Sequence, residues 1–221
     1  MIRFLTRLAR GAGLAALALA AALAAPASAA IVINEIDYDQ PGTDAAEFIE
    51  LKNTGPAAVD ITGYFVQLVN GSGGGAVVYQ TITIPAASLA AGAYYVICAN
   101  GANTILCDLD VAPNTDLVQN GSPDGVGLRD ATGALVDAVS YEGNTGAPYT
   151  EGTGLVASDT NTDNWLGISR FPDGADTNNN NVDWSLRCIS PGKANLAENT
   201  VCELPVPTRP ATWGGLKGIY R

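Results

Sequence analysis

From Ile31 to Tyr141 the chain is written in short runs rich in Val, Ile, Tyr and Phe, each stopped by a cluster of Gly, Pro, Asn or Asp. The runs are Ile31–Tyr38, Ala46–Asn53, Val59–Val69, Ala76–Ile84, Ala93–Ala99 and Leu135–Tyr141; the breaks include Pro41-Gly42, Thr54-Gly55-Pro56 and the stretch from Asn70 to Gly75. β-Branched and aromatic side chains suit a pleated strand, whereas Gly, Pro, Asn and Asp supply the dihedrals of turns. Val77, Tyr79, Thr81 and Thr83 alternate with Val78, Gln80, Ile82 and Ile84, the period of two expected of a half-buried strand. No segment between these runs and the C-terminus sustains a helical period. Strands this short and this numerous bury their apolar faces only against a second sheet, which predicts an all-β fold, most simply an immunoglobulin-like β-sandwich.

Beyond Gly143 the texture changes, and Gly, Asn, Asp and Thr dominate as far as Val182. Within that stretch only Leu166–Phe171 reads as a strand. Val182 to Leu186 returns to a pattern that can be buried, and Ser190-Pro191-Gly192-Lys193-Ala194-Asn195 reads as a terminating turn. The prolines at 205, 207 and 210 mark a stiff, extended linker before a short tail, Ala211–Arg221. The N-terminus has the three regions of a cleavable signal peptide: Arg3, Arg7 and Arg10, an Ala/Leu run from Gly11 to Ala25, and small residues around Ala29. The expected organisation is therefore a leader over 1–29, a sandwich over 30–202, and a linker with tail over 203–221. The mature protein is expected to be secreted, periplasmic or at the cell surface, in a bacterium, with no membrane insertion after cleavage.

Charge narrows the partners. The full chain carries 22 acidic and 11 basic residues, a net charge of −11, and loss of the three leader arginines brings it to −14. Such a surface repels phosphate backbones and anionic lipid, so no direct nucleic-acid binding is expected; a protein or a polysaccharide is the expected partner. Four cysteines in an exported chain read as two disulfides, and three pairings are possible. Local closure, Cys98 with Cys107 and Cys188 with Cys202, is favoured because each pair brackets a short loop-like segment. The chain has no histidine and no CxxC spacing, which weakens any zinc site.

Several chemistries find little footing. A serine or cysteine nucleophile lacks its usual histidine base, and the Gly71–Gly75 run has no Lys-Ser/Thr to cradle a phosphate. Glu47 and Glu50 lie on one strand, with Glu35 and Asp37 on another, but Glu47 and Glu50 are an odd number apart and point to opposite faces. The expectation is that they are solvent-facing or anchor turns, and no catalytic residue is assigned. The best chemical candidate is a calcium loop, with Asp173, Asp176, Asn178, Asn180 and Asp183 as the ligand set. Asp176, Asn178 and Asn180 alternate as calcium ligands do, yet Asn181 stands where a turn glycine belongs, and Arg187 replaces the closing Glu. The competing reading is an Asn-rich loop held by its own side-chain turns. No cofactor is required on either reading; calcium is the one ion the sequence offers a place to. Asp159, Asp163 and Asn164 make a second acidic patch, and both Trp165 and Trp184 are expected in the core.

The strands also carry a signature. Ile33-Asn34-Glu35-Ile36, Glu47-Phe48-Ile49-Glu50-Leu51-Lys52-Asn53, Asp60-Ile61-Thr62-Gly63-Tyr64, the segment from Ser169 to Asp176 and the turn Ser190–Asn195 follow one another in order. Together they resemble the lamin tail domain family in its secreted bacterial form, over roughly Ile31 to Asn195. The resemblance implies an immunoglobulin-like sandwich without a defining catalytic activity. It implies an accessory or binding module of the sort found beside secreted nucleases and other hydrolases. The sequence shows neither a hydrolase domain nor the coiled-coil rod of nuclear lamins. The resulting expectation is a non-catalytic binding module, with three rivals: an accessory protein to a separately encoded secreted hydrolase, a carbohydrate-binding surface module, and a small hydrolase of its own.

Overall fold

A computed structural model describes residues 30–163, 165–197 and 202. The expected leader, the Pro-rich linker and tail, and Asn164 lie outside the described residues. Among the described residues, twelve strands and one helical turn follow in order: β1 (Ile31–Asp37), β2 (Phe48–Asn53), β3 (Val59–Asp60), β4 (Phe65–Asn70), β5 (Val77–Thr83), β6 (Ser88–Leu89), β7 (Tyr94–Cys98), β8 (Leu109–Asp110), β9 (Asp124–Arg129), β10 (Leu135–Tyr141), β11 (Leu166–Arg170), α1 (Asn180–Asp183) and β12 (Trp184–Cys188). They form a six-stranded sheet in the order β12-β11-β1-β2-β7-β8, a four-stranded sheet β10-β9-β4-β5, and a small β3-β6 ribbon. Every pairing is antiparallel except β7 with β8. The fold is the all-β, immunoglobulin-like sandwich the strand pattern predicts. No helix among the described residues is long and apolar enough to cross a membrane.

The period of two sorts each strand between faces. Ile31, Ile33, Ile36, Ile49, Leu51, Ile97 and Ile168 of the larger sheet meet Val66, Leu68, Val126, Leu128 and Val139 of the smaller one in a continuous core. On the other face of the larger sheet, Phe48, Val96 and Cys98 form a second apolar cluster beneath Cys107 and Ile189. Two loops therefore roof that face. One is closed by Cys98–Cys107 (Cα–Cα 5.8 Å), and the other follows β12, where Cys188 pairs with Cys202 (Cα–Cα 5.2 Å).

Two departures from the sequence reading have local causes. The run Val59–Val69 is broken into β3 and β4: Asp60 Oδ1 accepts the Thr62 N–H and Gly63 takes φ +76°, a turn that a continuous strand excludes. β9, Asp-Gly-Val-Gly-Leu-Arg, lacks the apolar density of a strand. Its glycines are required by close approach, because a Cβ on Gly127 would lie 2.7 Å from the Tyr149 ring.

Candidate functional site

Three of the signature motifs, Ile33–Ile36, Glu47–Asn53 and Ser190–Asn195, meet with Asp173 at one place, the outer face of the six-stranded sheet, while Asp60–Tyr64 forms the turn between β3 and β4. A one-residue bulge between Ile33 and Glu35 turns the side chains of both Asn34 and Glu35 toward that face. Glu35 lies directly across from Glu50. Both Glu35 oxygens accept the Ser190 N–H, at 2.9 and 3.0 Å. Glu50 accepts from Asn34 Nδ2 at 2.8 Å and from the Gly192 N–H at 2.6 Å. Asn195 Nδ2 donates to the carbonyls of Asn34 and Arg170, at 3.1 and 2.8 Å. Asp173 sits at the rim, where it accepts from Lys52 and Tyr94 Oη and, at 3.0 Å, from Asn34. Ser190-to-Asn195 is thus a latch whose backbone N–H groups are satisfied by two buried glutamates of the strands beneath.

Among the described residues, Glu35 and Glu50 of the latch pair with no cation, and the nearby Lys52 is taken by Asp173. Glu35, Glu47 and Glu50 are all fully buried, so the expectation of solvent-facing carboxylates is corrected, while the turn-anchoring alternative holds. Desolvation, with the neighbouring Glu50 charge, pushes Glu35 well up from the usual range. Burial likewise pushes Glu50 to about 8, against the hydrogen bonds from Asn34 and Gly192 that favour its charged form. Glu47, one position before β2, accepts the N–H groups of Leu117 (2.6 Å) and Val118 (3.2 Å), and burial raises it to about 8. Asp37 is raised by burial and then by the adjacent Asp159 charge; one of its oxygens accepts from Gln40 Nε2 at 2.7 Å. Asp159 in turn receives the Tyr38 and Thr160 N–H groups, and burial raises it to about 7.

A second cluster lies between the sheets and was not foreseen. Arg170, at the end of β11, is 0 % exposed. Its guanidinium pairs with Asp137 of β10 at 2.8 Å, with Asp176 and Asp183 at 3.3 Å each, and with Glu151 at 3.9 Å. Its flat face lies 5.1 Å over the Trp184 ring. Asp137 also accepts the Ile33 N–H at 2.6 Å, the backbone donor displaced by the β1 bulge. Burial raises Asp137 to about 6 despite Arg170, and burial with the Asp137 charge raises Glu151 to about 8. The signal in the sequence was an Asp in the middle of an apolar strand, Leu-Val-Asp-Ala-Val, which needs a buried cation or donor.

The five residues expected to hold calcium do not converge on one point. Asp173 is in the latch. Asp183 accepts from Thr177 N and Oγ1 as well as from Arg170, and Asp176 accepts the Asn178 N–H. Asn180 faces β10, accepting the Ser140 N–H and donating to the Ala138 carbonyl, while Asn178 is exposed. The loop is held by its own side-chain turns and by Arg170. Of the five, only Asp176 joins a tight acidic group: single oxygens of Asp137, Glu151 and Asp176 lie within 4.8 Å of one another, and Arg170 touches all three. In the second patch, Asp163 accepts the Trp165 N–H. Trp184 is core, as expected, whereas Trp165 is only half-buried.

The family model for the Lamin Tail Domain matches residues 24–143 of this chain. No curated protein matches it. The matched span holds the first three signature motifs and ends before β11 and β12, which complete the larger sheet.

Proposed function

The chain belongs to the lamin tail domain family, and from that premise we propose that it is a secreted, non-catalytic binding module whose partner is a protein or a polysaccharide. The observation that carries this reading is the fate of its carboxyl groups. General acid–base work requires a carboxyl within hydrogen-bond reach of a bound substrate. Glu35, Glu47 and Glu50 instead receive N–H groups of the chain itself, beneath loops that exclude water. Their pKa values are raised by burial beneath those loops, against the backbone N–H groups that favour the charged form. Two disulfides and a rigid two-sheet frame suit a module that works in an oxidising compartment and presents its surface rather than a cleft.

The experiment is binding of purified residues 30–221 to a panel of polysaccharides and to candidate secreted proteins, in parallel with a panel of hydrolase substrates. Saturable binding to one partner, with no turnover, is the expected result. Turnover abolished by Glu35→Gln, Glu47→Gln or Glu50→Gln in a variant with unchanged melting would overturn the reading in favour of an enzyme.

A further inference from the structure

A sandwich has to manage the open edges of its sheets, because an unpaired strand edge is a template for another strand. Three of the four edges here are managed. Along β10 the Asn180 side chain imitates a neighbouring strand, accepting from Ser140 N and donating to Ala138 O, and Leu155 N–H bonds the Ser140 carbonyl. β8 is two residues long. β12 carries Arg187 and ends at the Cys188–Cys202 bridge. The fourth edge, β5, is different. Its sequence, Val-Val-Tyr-Gln-Thr-Ile-Thr, has no charge and no proline. Among the described residues, no backbone hydrogen bond reaches it from outside its own sheet. Val77 is 62 % and Val78 37 % exposed, and Thr81 and Thr83 are exposed as well. A bulge opposite Leu68 and Val69 turns Tyr79 so that its hydroxyl meets Leu117 and Gln119, and the Gln80 side chain donates to the Ala112 carbonyl.

The surroundings say what fits there. In a chain with 22 acidic residues, the whole stretch from Ile61 to Cys107 contains no Asp, Glu, Lys, Arg or His. That stretch contains β4, β5 and the turn between them, so the strand with the open edge and its hairpin partner carry no charged side chain of their own. Two strongly acidic bodies repel wherever their charged faces meet, and a neutral β-branched edge is where they can approach. Antiparallel self-pairing across a two-fold axis satisfies both copies with the same strand.

We propose that β5 is a self-association edge, on which the β5 of a second copy of this chain pairs to join two four-stranded sheets into one of eight. This deepens the binding-module reading, and rests on it, by naming one partner. Edge pairing alone buries less than the 1,200 Å² or so of a stable interface, so the association should be weak.

Sedimentation equilibrium of residues 30–221 from about 10 µM to about 1 mM is the test, a range chosen for an interface below standard size. The wild type and Thr81→Val should approach the mass of two chains, more so at high salt, where screening relieves the acidic bodies. Val77→Glu with Thr81→Glu should remain at one chain with unchanged melting, since both positions are exposed. Hydrogen exchange should slow with concentration at amides of 77–83 and not on β10. A wild-type mass of one chain throughout overturns the inference, and so does a dimer that survives the two glutamates. Neither outcome touches the polysaccharide and protein binding panel, which decides the underlying reading separately.

Discussion

The two buried acidic clusters solve the same problem in opposite ways. In the latch, Glu35 and Glu50 face each other across strands with N–H donors on their oxygens, while the nearby Lys52 is engaged by Asp173. Between the sheets, one guanidinium sits among four carboxylates. Burying a carboxylate is costly unless it is protonated, hydrogen-bonded or paired. The latch relies on protons and backbone donors; the inner cluster relies on a fixed positive charge, with burial raising Glu151 to about 8 beside it. The difference teaches that one set of signature motifs closes the fold from outside, whereas another turns Arg170 inward, where it pairs with its own Asp176 and with Asp137, an acid that no motif contains.

The largest break in that contrast should come from Arg170→Met. It would leave Asp137, Asp176 and Asp183 buried without their cation, and the expected loss is about 3–5 kcal/mol at pH 7 by urea unfolding. Adding Asp137→Asn should recover part of it. A loss below about 1 kcal/mol would show that protons, not Arg170, neutralise the inner cluster as well. Asn195→Ala tests the joint between the two regions, since Nδ2 of Asn195 bonds both the Asn34 and the Arg170 carbonyls. Leaving those buried acceptors unsatisfied should cost about 2 kcal/mol.

The pH dependence sharpens the comparison further. Glu50 and Glu47 have folded values of about 8. Glu35 is raised as well. Between the unfolded value near 4.3 and the folded one, the native state binds more protons than the unfolded chain, so stability declines with rising pH. That contribution is fully present below pH 4 or so and is lost as the pH passes through about 8. Stability should fall steadily from pH 5 to pH 9, and Glu50→Gln should flatten the decline. A profile that rises over this range would mean that the latch carboxyls are ionised. The smallest effect is expected from metal: calcium at about 5 mM, against EDTA, should move stability by less than about 0.5 kcal/mol. The loop oxygens already accept Arg170 and backbone donors. A clear shift abolished by Asp176→Ala would restore calcium to the Asp137–Glu151–Asp176 group.

Much of this was legible from residues in line. Leu135–Tyr141 is a strand exactly as its run of apolar and β-branched residues indicates, and Ile31–Tyr38 misses by one residue. The pairing of Cys98 with Cys107 and Cys188 with Cys202 was legible from spacing, because short loops bring their ends together at little entropic cost. β9 was not legible, since its glycines are explained by Tyr149, twenty-two residues away from Gly127. The latch was legible as a set of motifs but not as a site. The hydrogen bonds of Asp176, Asn178 and Asn180 were not legible, because alternation in sequence fixes which residues are near one another along the chain, not where their oxygens point.

What the sequence determined by itself is therefore the class of fold, the strand runs, the cysteine pairing and the family, all properties set by short-range periodicity, turn chemistry and ordered motifs. Only the tertiary structure decided which carboxylates are buried and what neutralises them. Glu35 and Ser190 are 155 residues apart in sequence, and Asp137 and Arg170 come from different sheets. The charge state of a buried acid depends on the donors and cations that folding brings around it, and those come from the packing of distant segments rather than from neighbours along the chain.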